Sequence, residues 1–254
     1  MQELHNNIYF PQTQNPKYFK LSNDFDEMKK KFSKIARKYN IVLVTTLFEK
    51  RLNGVYHNTA VVFDSDGSEA GKYRKMHIPD DPNFYEKFYF TPGDLGFEPI
   101  NTSVGKLGVL ICWDQWFPEP ARIMALKGAD ILIYPTAIGW SDEETKQERK
   151  SSKKSWINVQ KGHAIANHLP IIAVNRVGFE QDESKKNKEG ILFWGNSFVL
   201  NARGEILAKA KLKEEIIICD IKFSLTEKLR NIWPFFRDRR VHYYEDMHNL
   251  SSND

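Results

Sequence analysis

Cys112 is the side chain of this sequence best placed to act as a nucleophile. It closes the run Lys106-Leu-Gly-Val-Leu-Ile-Cys112 and precedes Trp113-Asp-Gln-Trp-Phe-Pro118-Glu-Pro120. The apolar run suits a short buried strand, and the prolines after it suit the first turn of a helix. A cysteine at such a junction is expected to be exposed at the end of a sheet, near free backbone N–H groups. Their partial positive charge favours thiolate, the reactive form. The competing reading is a small buried residue, the commoner fate of a free cysteine. Three other segments hold reactive types in loop-like surroundings: Gln2-Glu3-Leu4-His5, Lys72-Tyr-Arg-Lys75-Met-His77-Ile-Pro79 and Phe84-Tyr-Glu86-Lys-Phe-Tyr-Phe90-Thr-Pro-Gly-Asp94. Taken singly, each has an ordinary explanation as surface charge.

The elements that must position these residues can be read from periodicity. Residues 24–39 fit a helix, with Phe25, Met28, Phe32, Ile35 and Ala36 on one face. Strands are expected over 41–46 and 58–63, the latter turning through Asp64-Ser-Asp-Gly67 into a hairpin partner at 71–74. The strand ending at Cys112, a helix over 118–128 and a strand over 130–134 make a βαβ unit, expected to be right-handed. A long helix falls within 146–168, followed by a strand over 170–175. A hairpin is expected from Ser197-Phe-Val-Leu200 through Asn201-Ala-Arg-Gly204 to Ile206-Leu207, and another strand over 216–221, with Cys219 a buried thiol. No linker divides the chain, so residues 1–254 are expected to form a single layered α/β (α+β) domain.

Composition excludes several classes. The chain has 254 residues, 41% hydrophobic and 28% charged, and 37 basic against 33 acidic residues give a net charge of +4. That balance does not argue for nucleic acid, and the lysine runs at 150–154 and 185–188 read as solvated surface. With two cysteines there is no disulfide framework, and a reducing, cytoplasmic setting fits. No apolar stretch approaches membrane-spanning length, and the first residues lack the pattern of a signal peptide. The seven histidines show no His-Glu-x-x-His spacing and the cysteines no Cys-x-x-Cys pair, so neither a metal nor a cofactor is expected.

The order Glu3, then Arg74-Lys75-Met-His77, then Glu86 before Thr91-Pro-Gly-Asp94, then Ile111-Cys-Trp-Asp114, resembles the nitrilase (carbon–nitrogen hydrolase) superfamily. The resemblance covers essentially the whole chain, including Ile131-Leu-Ile-Tyr-Pro-Thr136, Ala173-Val-Asn-Arg176 and Trp194-Gly-Asn-Ser197. Within the superfamily, several stretches are similar to the branch that hydrolyses N-carbamoylputrescine. These are Tyr73-Arg-Lys-Met-His-Ile-Pro-Asp80, Phe88-Tyr-Phe-Thr-Pro-Gly-Asp-Leu-Gly96, Cys112-Trp-Asp-Gln-Trp-Phe-Pro-Glu119, Pro135-Thr-Ala-Ile-Gly-Trp140 and Phe235-Phe-Arg-Asp-Arg-Arg240.

The resemblance implies a four-layer α-β-β-α sandwich, N-terminally truncated, and a Glu-Lys-Cys catalytic set that maps onto Glu3, Lys75 and Cys112. Glu86 would be the second carboxylate, orienting Lys75 or the substrate nitrogen. Cys112 would attack the carbamoyl carbon, Glu3 would move the protons, and Lys75 with the N–H of Trp113 would hold the oxyanion. The implied product set is putrescine, carbon dioxide and ammonia. Recognition of a distal ammonium calls for a carboxylate behind aromatic walls. Asp80, Asp81, Asp142 and Glu143 are candidates for the charge, and Tyr85, Trp113 and Trp140 for the walls. A relative acting on carbamoyl amino acids or β-ureido acids would instead need a cation such as Arg176, whose other possible role is a structural ion pair. The family places a strand, a helix and a strand before its first glutamate, a segment of roughly 30 residues. Here that glutamate is residue 3, so Glu3 is expected to hang from a flexible terminus and the chain to be poorly active. A silent fragment acting only as an interaction subunit is the rival reading. A homo-oligomer is the partner implied, and the segment 233–240 would cover either a neighbouring subunit or its own core.

Overall fold

Residues 60–63 set the architecture. Ala60 and Val62 are buried in one hydrophobic cluster, Val61 and Phe63 in another. Alternate side chains of a strand point to opposite faces, so this strand is covered on both and must lie inside a sandwich. The computed structural model describes residues 1–140, 144–184 and 189–251. Helix α1 (Phe25–Tyr39) lays Phe32 and Ala36, one turn apart, on an antiparallel sheet of β1 (Leu43–Leu52), β2 (Val55–Phe63) and β3 (Glu69–Arg74). A short hairpin follows, β4 (Asp80–Asp81) with β5 (Phe84–Tyr85), and then β6 (Ile100–Thr102) and β7 (Gly105–Val109). The chain continues through α2 (Pro118–Leu126), β8 (Ile131–Thr136), β9 (Gly139–Trp140), α3 (Lys146–Asn167) and β10 (Ile171–Asn175). Last come β11 (Val177–Gln181), β12 (Gly190–Trp194), β13 (Phe198–Leu200), β14 (Ile206–Lys209) and α4 (Ser224–Ile232).

Strands β14-β13-β10-β8-β7-β6 form a six-stranded sheet in which β7, β8 and β10 run parallel. Its residues Leu107, Val109, Leu132 and Tyr134 share one core with Ala60, Val62 and Tyr73 of the first sheet. Met124 of α2 and Trp156 and Ala164 of α3 join the same cluster from the outer side. The order is therefore helix, sheet, sheet, helix: the α-β-β-α sandwich expected. A third sheet, β11-β12-β9, leaves the six-stranded one at the turn from β10 to β11.

Three expectations change. Strand β1 runs on to Leu52 through Glu49-Lys-Arg51 and turns at Asn53-Gly54 into β2. The expected strand ended at residue 46, before this charged stretch, but Glu49 is buried because Arg74 and Lys72 pair with it. The strand before Cys112 stops at Val109. Residues 216–221 form no strand: Ile216 and Ile218 are each 91% exposed and Cys219 is half-buried. That apolar run finds no ladder partner among the described residues, and propensity without a partner does not make a sheet.

Candidate active site

Lys75 follows the last residue of β3, and its N–H still bonds to the Asn58 carbonyl at 2.9 Å. Alternation then sends Arg74 to one side, onto Glu49 and Asp94, and Lys75 to the other, fully buried. The Thr91-Pro92-Gly93 corner closes over it, with Gly93 N–H on the Lys75 carbonyl at 2.8 Å. A side chain at Gly93 would place its Cβ 2.0 Å from the Arg74 carbonyl oxygen, so only glycine fits that approach. Glu86 opens a 3-10 turn (Glu86–Phe88) just after β5 and is fully buried beneath the aromatic cluster of Tyr9, Phe84 and Phe90.

Glu3 is not on a flexible end. It is fully buried, its N–H meets the Thr136 carbonyl at 3.3 Å, and the next N–H, of Leu4, reaches Thr46 Oγ1 at 2.7 Å. The expectation fails because both sheets supply partners to residues 1–7. Arg176 is one of them: its guanidinium donates to the carbonyls of Glu3, Leu4 and Asn7 and pairs with Glu180. Among the described residues it is thus used structurally, within the fold.

Cys112 begins a five-residue 3-10 helix (Cys112–Trp116) with φ +43°, a conformation a cysteine rarely adopts. Buried Asp114 holds the turn by accepting from Ile111 N–H (2.9 Å), Tyr73 O–H (2.8 Å) and His77 N–H (3.0 Å). From α3, Trp156 and Gln160 donate to the Gln115 side chain at 2.6 and 2.9 Å. The expected exposure and ready thiolate are both corrected. Cys112 is 5% exposed, and burial, then the negative charge of Glu3, push its thiol well above the ordinary range despite Lys75.

These segments bring three charges into contact. Lys75 Nζ lies 2.8 Å from Glu3 Oε1 and 2.6 Å from Glu86 Oε2. Burial pulls against the ammonium form of Lys75, but Glu3 and then Glu86 outweigh it and hold the lysine charged, above its usual range. Burial pushes the Glu86 carboxyl up to about 7, against the pull of Lys75. Glu3 Oε1 also accepts from Asn58 Nδ2 at 2.7 Å, whereas buried Glu3 Oε2 has no protein partner among the described residues. A buried acceptor left open in this way is suited to receiving a proton. Tyr9 O–H donates to Glu86 Oε1 at 2.7 Å.

Cys112, Trp113, Glu86 and Asp81 share the wall of a cavity of about 520 Å³. Asp80 and Tyr85 face each other in the β4–β5 hairpin and are not in that wall. Nor is Trp140, which is 8% exposed, stacks near Trp194 and donates to the Arg149 carbonyl. Asp142 and Glu143 lie outside the described residues. Sequence reasoning passed over Glu144, Phe84, Trp116, Trp194 and three serines of α3, Ser151, Ser152 and Ser155, which do line the cavity. The acidic run 142–144 could have pointed to Glu144, and the missed Tyr9 lies six residues beyond Glu3 with no local signal of its role.

A buried cysteine beside a carboxylate–lysine–carboxylate contact, on a four-layer sandwich, is the arrangement of a carbon–nitrogen hydrolase. The chain belongs to that family: the profile of the carbon-nitrogen hydrolase family matches residues 2–231. It is a cysteine-dependent amidohydrolase acting on non-peptide C–N bonds. It is 40% identical over 256 residues to the N-carbamoylputrescine amidase of Arabidopsis thaliana, covering 100% of this chain and 84% of that protein. It is 43% identical over 248 residues to the citrullinase of Francisella tularensis subsp. tularensis, covering 96% and 84%. Among solved structures, a carbon-nitrogen hydrolase from Helicobacter pylori G27 is 60% identical with a TM-score of 0.97, covering 98% of this chain and 85% of that one.

Proposed function

We propose that this enzyme hydrolyses N-carbamoylputrescine to putrescine, carbon dioxide and ammonia, in the cytoplasm. The cavity wall carries the proposal. It holds three carboxylates (Asp81, Glu86 and Glu144) and four aromatic residues (Phe84, Trp113, Trp116 and Trp194), and no lysine or arginine among the described residues. Glu86 is engaged with Lys75, so Asp81 is the carboxylate offered to a distal ammonium, and aromatic faces add to its binding. Similarity to several N-carbamoylputrescine amidases supports the same reading.

In this reading Glu3 Oε2 takes the Cys112 proton as sulfur attacks the carbamoyl carbon. Lys75 and the Trp113 N–H steady the oxyanion, and Glu3 passes the proton to the leaving nitrogen. The departing amine leaves an S-carbamoyl thioester. Water, deprotonated by Glu3, then attacks that carbonyl and frees the thiol, and the carbamate released decomposes to carbon dioxide and ammonia. Glu86 fixes Lys75 from the other side. No metal or organic cofactor enters the scheme.

L-Citrulline is the second reading, favoured by similarity to a citrullinase and by the hydroxyls of Ser151 and Ser155, donors suited to an α-carboxylate. The test is ammonia release from N-carbamoylputrescine, L-citrulline and N-carbamoyl-β-alanine, with Cys112→Ala as control. A Cys112-dependent kcat/KM highest for the putrescine compound is expected. A higher value for citrulline would overturn the assignment, and turnover of none would favour an interaction-only role.

A further inference from the structure

We propose that Arg176 and Glu180 are positioning residues that, acting through the segment 3–9, hold both Glu3 and Glu86 against Lys75. Arg176 stands at the corner between β10 and β11, and its backbone N–H bonds to the Thr136 carbonyl at 3.1 Å, the same oxygen that receives Glu3 N–H. Its Nη2 donates to the carbonyls of Glu3 (3.2 Å), Leu4 (2.8 Å) and Asn7 (3.1 Å). Its Nη1 pairs with Glu180 Oε1, and Glu180 Oε2 accepts from Tyr9 N–H at 2.6 Å. Tyr9 then reaches Glu86, Glu86 reaches Lys75, and Lys75 returns to Glu3. The contacts close into a ring that links both carboxylates to the arginine.

Two features make the clamp specific to these residues. Leu4 has φ +47°, an unfavourable conformation for leucine that persists only where surroundings over-determine it. The three carbonyls on Arg176 supply that constraint. The guanidinium also lies 6.0 Å from the Tyr9 ring centroid and 5.5 Å from that of Phe193, in a buried slot that accommodates a planar, permanently charged group. A lysine there keeps the charge but has a compact head that cannot span three carbonyls and Glu180 together.

The proposal rests on Glu3 acting as the base for Cys112, not on which carbamoyl compound is the substrate. Its test therefore follows the alkylation rate of Cys112 by iodoacetamide, read by mass at that residue, on both sides of pH 7. The proteins are the wild type, Arg176→Lys, Tyr9→Phe, Glu3→Gln and, as control, Glu183→Gln, whose exposed carboxylate pairs with Lys17, each with its melting temperature. The groups facing Glu86 are Lys75, Glu3 and Tyr9, with Cys112 and Asp81 on the shared cavity wall. Tyr9 O–H donates to the ionised carboxylate and so lowers its pKa. Its loss is expected to raise the pH at which the acid limb falls, an effect that a merely structural role would not produce.

Folded Arg176→Lys is expected to alkylate at least about tenfold more slowly, a partial loss of the base's usual contribution. Glu183→Gln should match the wild type. Wild-type alkylation by folded Arg176→Lys overturns the proposal, as does an unmoved acid limb in Tyr9→Phe, which also decides the matter if Arg176→Lys does not fold. Unchanged alkylation in Glu3→Gln would instead overturn the role given to Glu3. Failure of N-carbamoylputrescine as substrate would leave all these rates standing.

Discussion

At the scale of residues, the site pairs a protonated thiol with a carboxylate that, in the proposed scheme, deprotonates it. Cys112 is held above its ordinary range by burial and by Glu3, so reactivity depends on proton transfer rather than on a standing thiolate. Glu3→Gln is expected to lower kcat by about 10²–10⁴-fold, the usual worth of a positioned acid–base group. Glu86 titrates near 7 because burial disfavours its charge. As pH falls through that value Glu86 gains a proton and gives up the negative charge on which Lys75 and Tyr9 converge. The kcat/KM should therefore decline below about 7, and Glu86→Gln should lose that limb while running slower throughout. The identities of Glu3, Lys75, Glu86 and Cys112 were legible because each sits in a distinctive short stretch. Asn58 and Tyr9 were not, since an asparagine inside a strand and a tyrosine after a polar loop carry no local mark of a buried carboxylate partner.

At the scale of elements, α3 shows what a local signal can and cannot carry. Thr145-Lys-Gln-Glu148 spells a capping box, and the structure forms it: Thr145 Oγ1 accepts from Glu148 N–H at 3.2 Å, and the Glu148 carboxylate accepts from Thr145 N–H at 2.8 Å. Thr145→Ala is expected to cost about 1 kcal/mol in denaturant unfolding. The helix matters to the site because Trp156, Gln160 and His163 all bond to Gln115 of the turn that begins at Cys112. Phe198 of β13 sits edge-on to Trp156 with ring centroids 4.9 Å apart and is fully buried. Phe198→Ala should destabilise by about 3–5 kcal/mol, seen as a lower melting temperature. Sequence periodicity found most of these elements but missed the length of β1 and added a strand at 216–221. The causes differ: the charged end of β1 pairs with β2 across the adjacent Asn53-Gly54 turn, a local hairpin signal passed over, whereas the run 216–221 has no ladder partner among the described residues.

At the scale of the whole molecule, residues 1–7 tie the two principal sheets together. Leu4 bonds to Thr46 on β1, Glu3 bonds to Thr136 on β8, and the carbonyls of both accept from Arg176 beyond β10. The Glu3 carboxylate thus sits where the layers meet, and loosening either layer should be felt at the site. No helix among the described residues is long and apolar enough to cross a membrane. Self-association, implied by the family resemblance, is a proposal at this scale. Its surface would be the groove of about 910 Å³ between α2, α3 and the C-terminal segment, where Leu126, Val241 and Met247 are exposed. Light scattering should report an oligomer, and Leu126→Asp with Met247→Asp should reduce its mass. An unchanged mass in that double variant would place any interface elsewhere.

The sequence by itself determined the family, through its resemblance, and the layered α/β class, through its periodicity. Reactive residues lie in short stretches whose types are set by the reaction, and apolar periodicity of two and 3.6 residues dictates which faces must be covered. Only the tertiary structure decided how the carboxylates are held and what the cavity presents. Glu3 is fixed by Asn58, Thr136 and Arg176, residues separated from it by 55, 133 and 173 positions, and the cavity draws its wall from β5, the Cys112 turn, β9 and α3. Those contacts form when strands find their partners, and long-range pairing of that kind leaves no periodic trace in the chain.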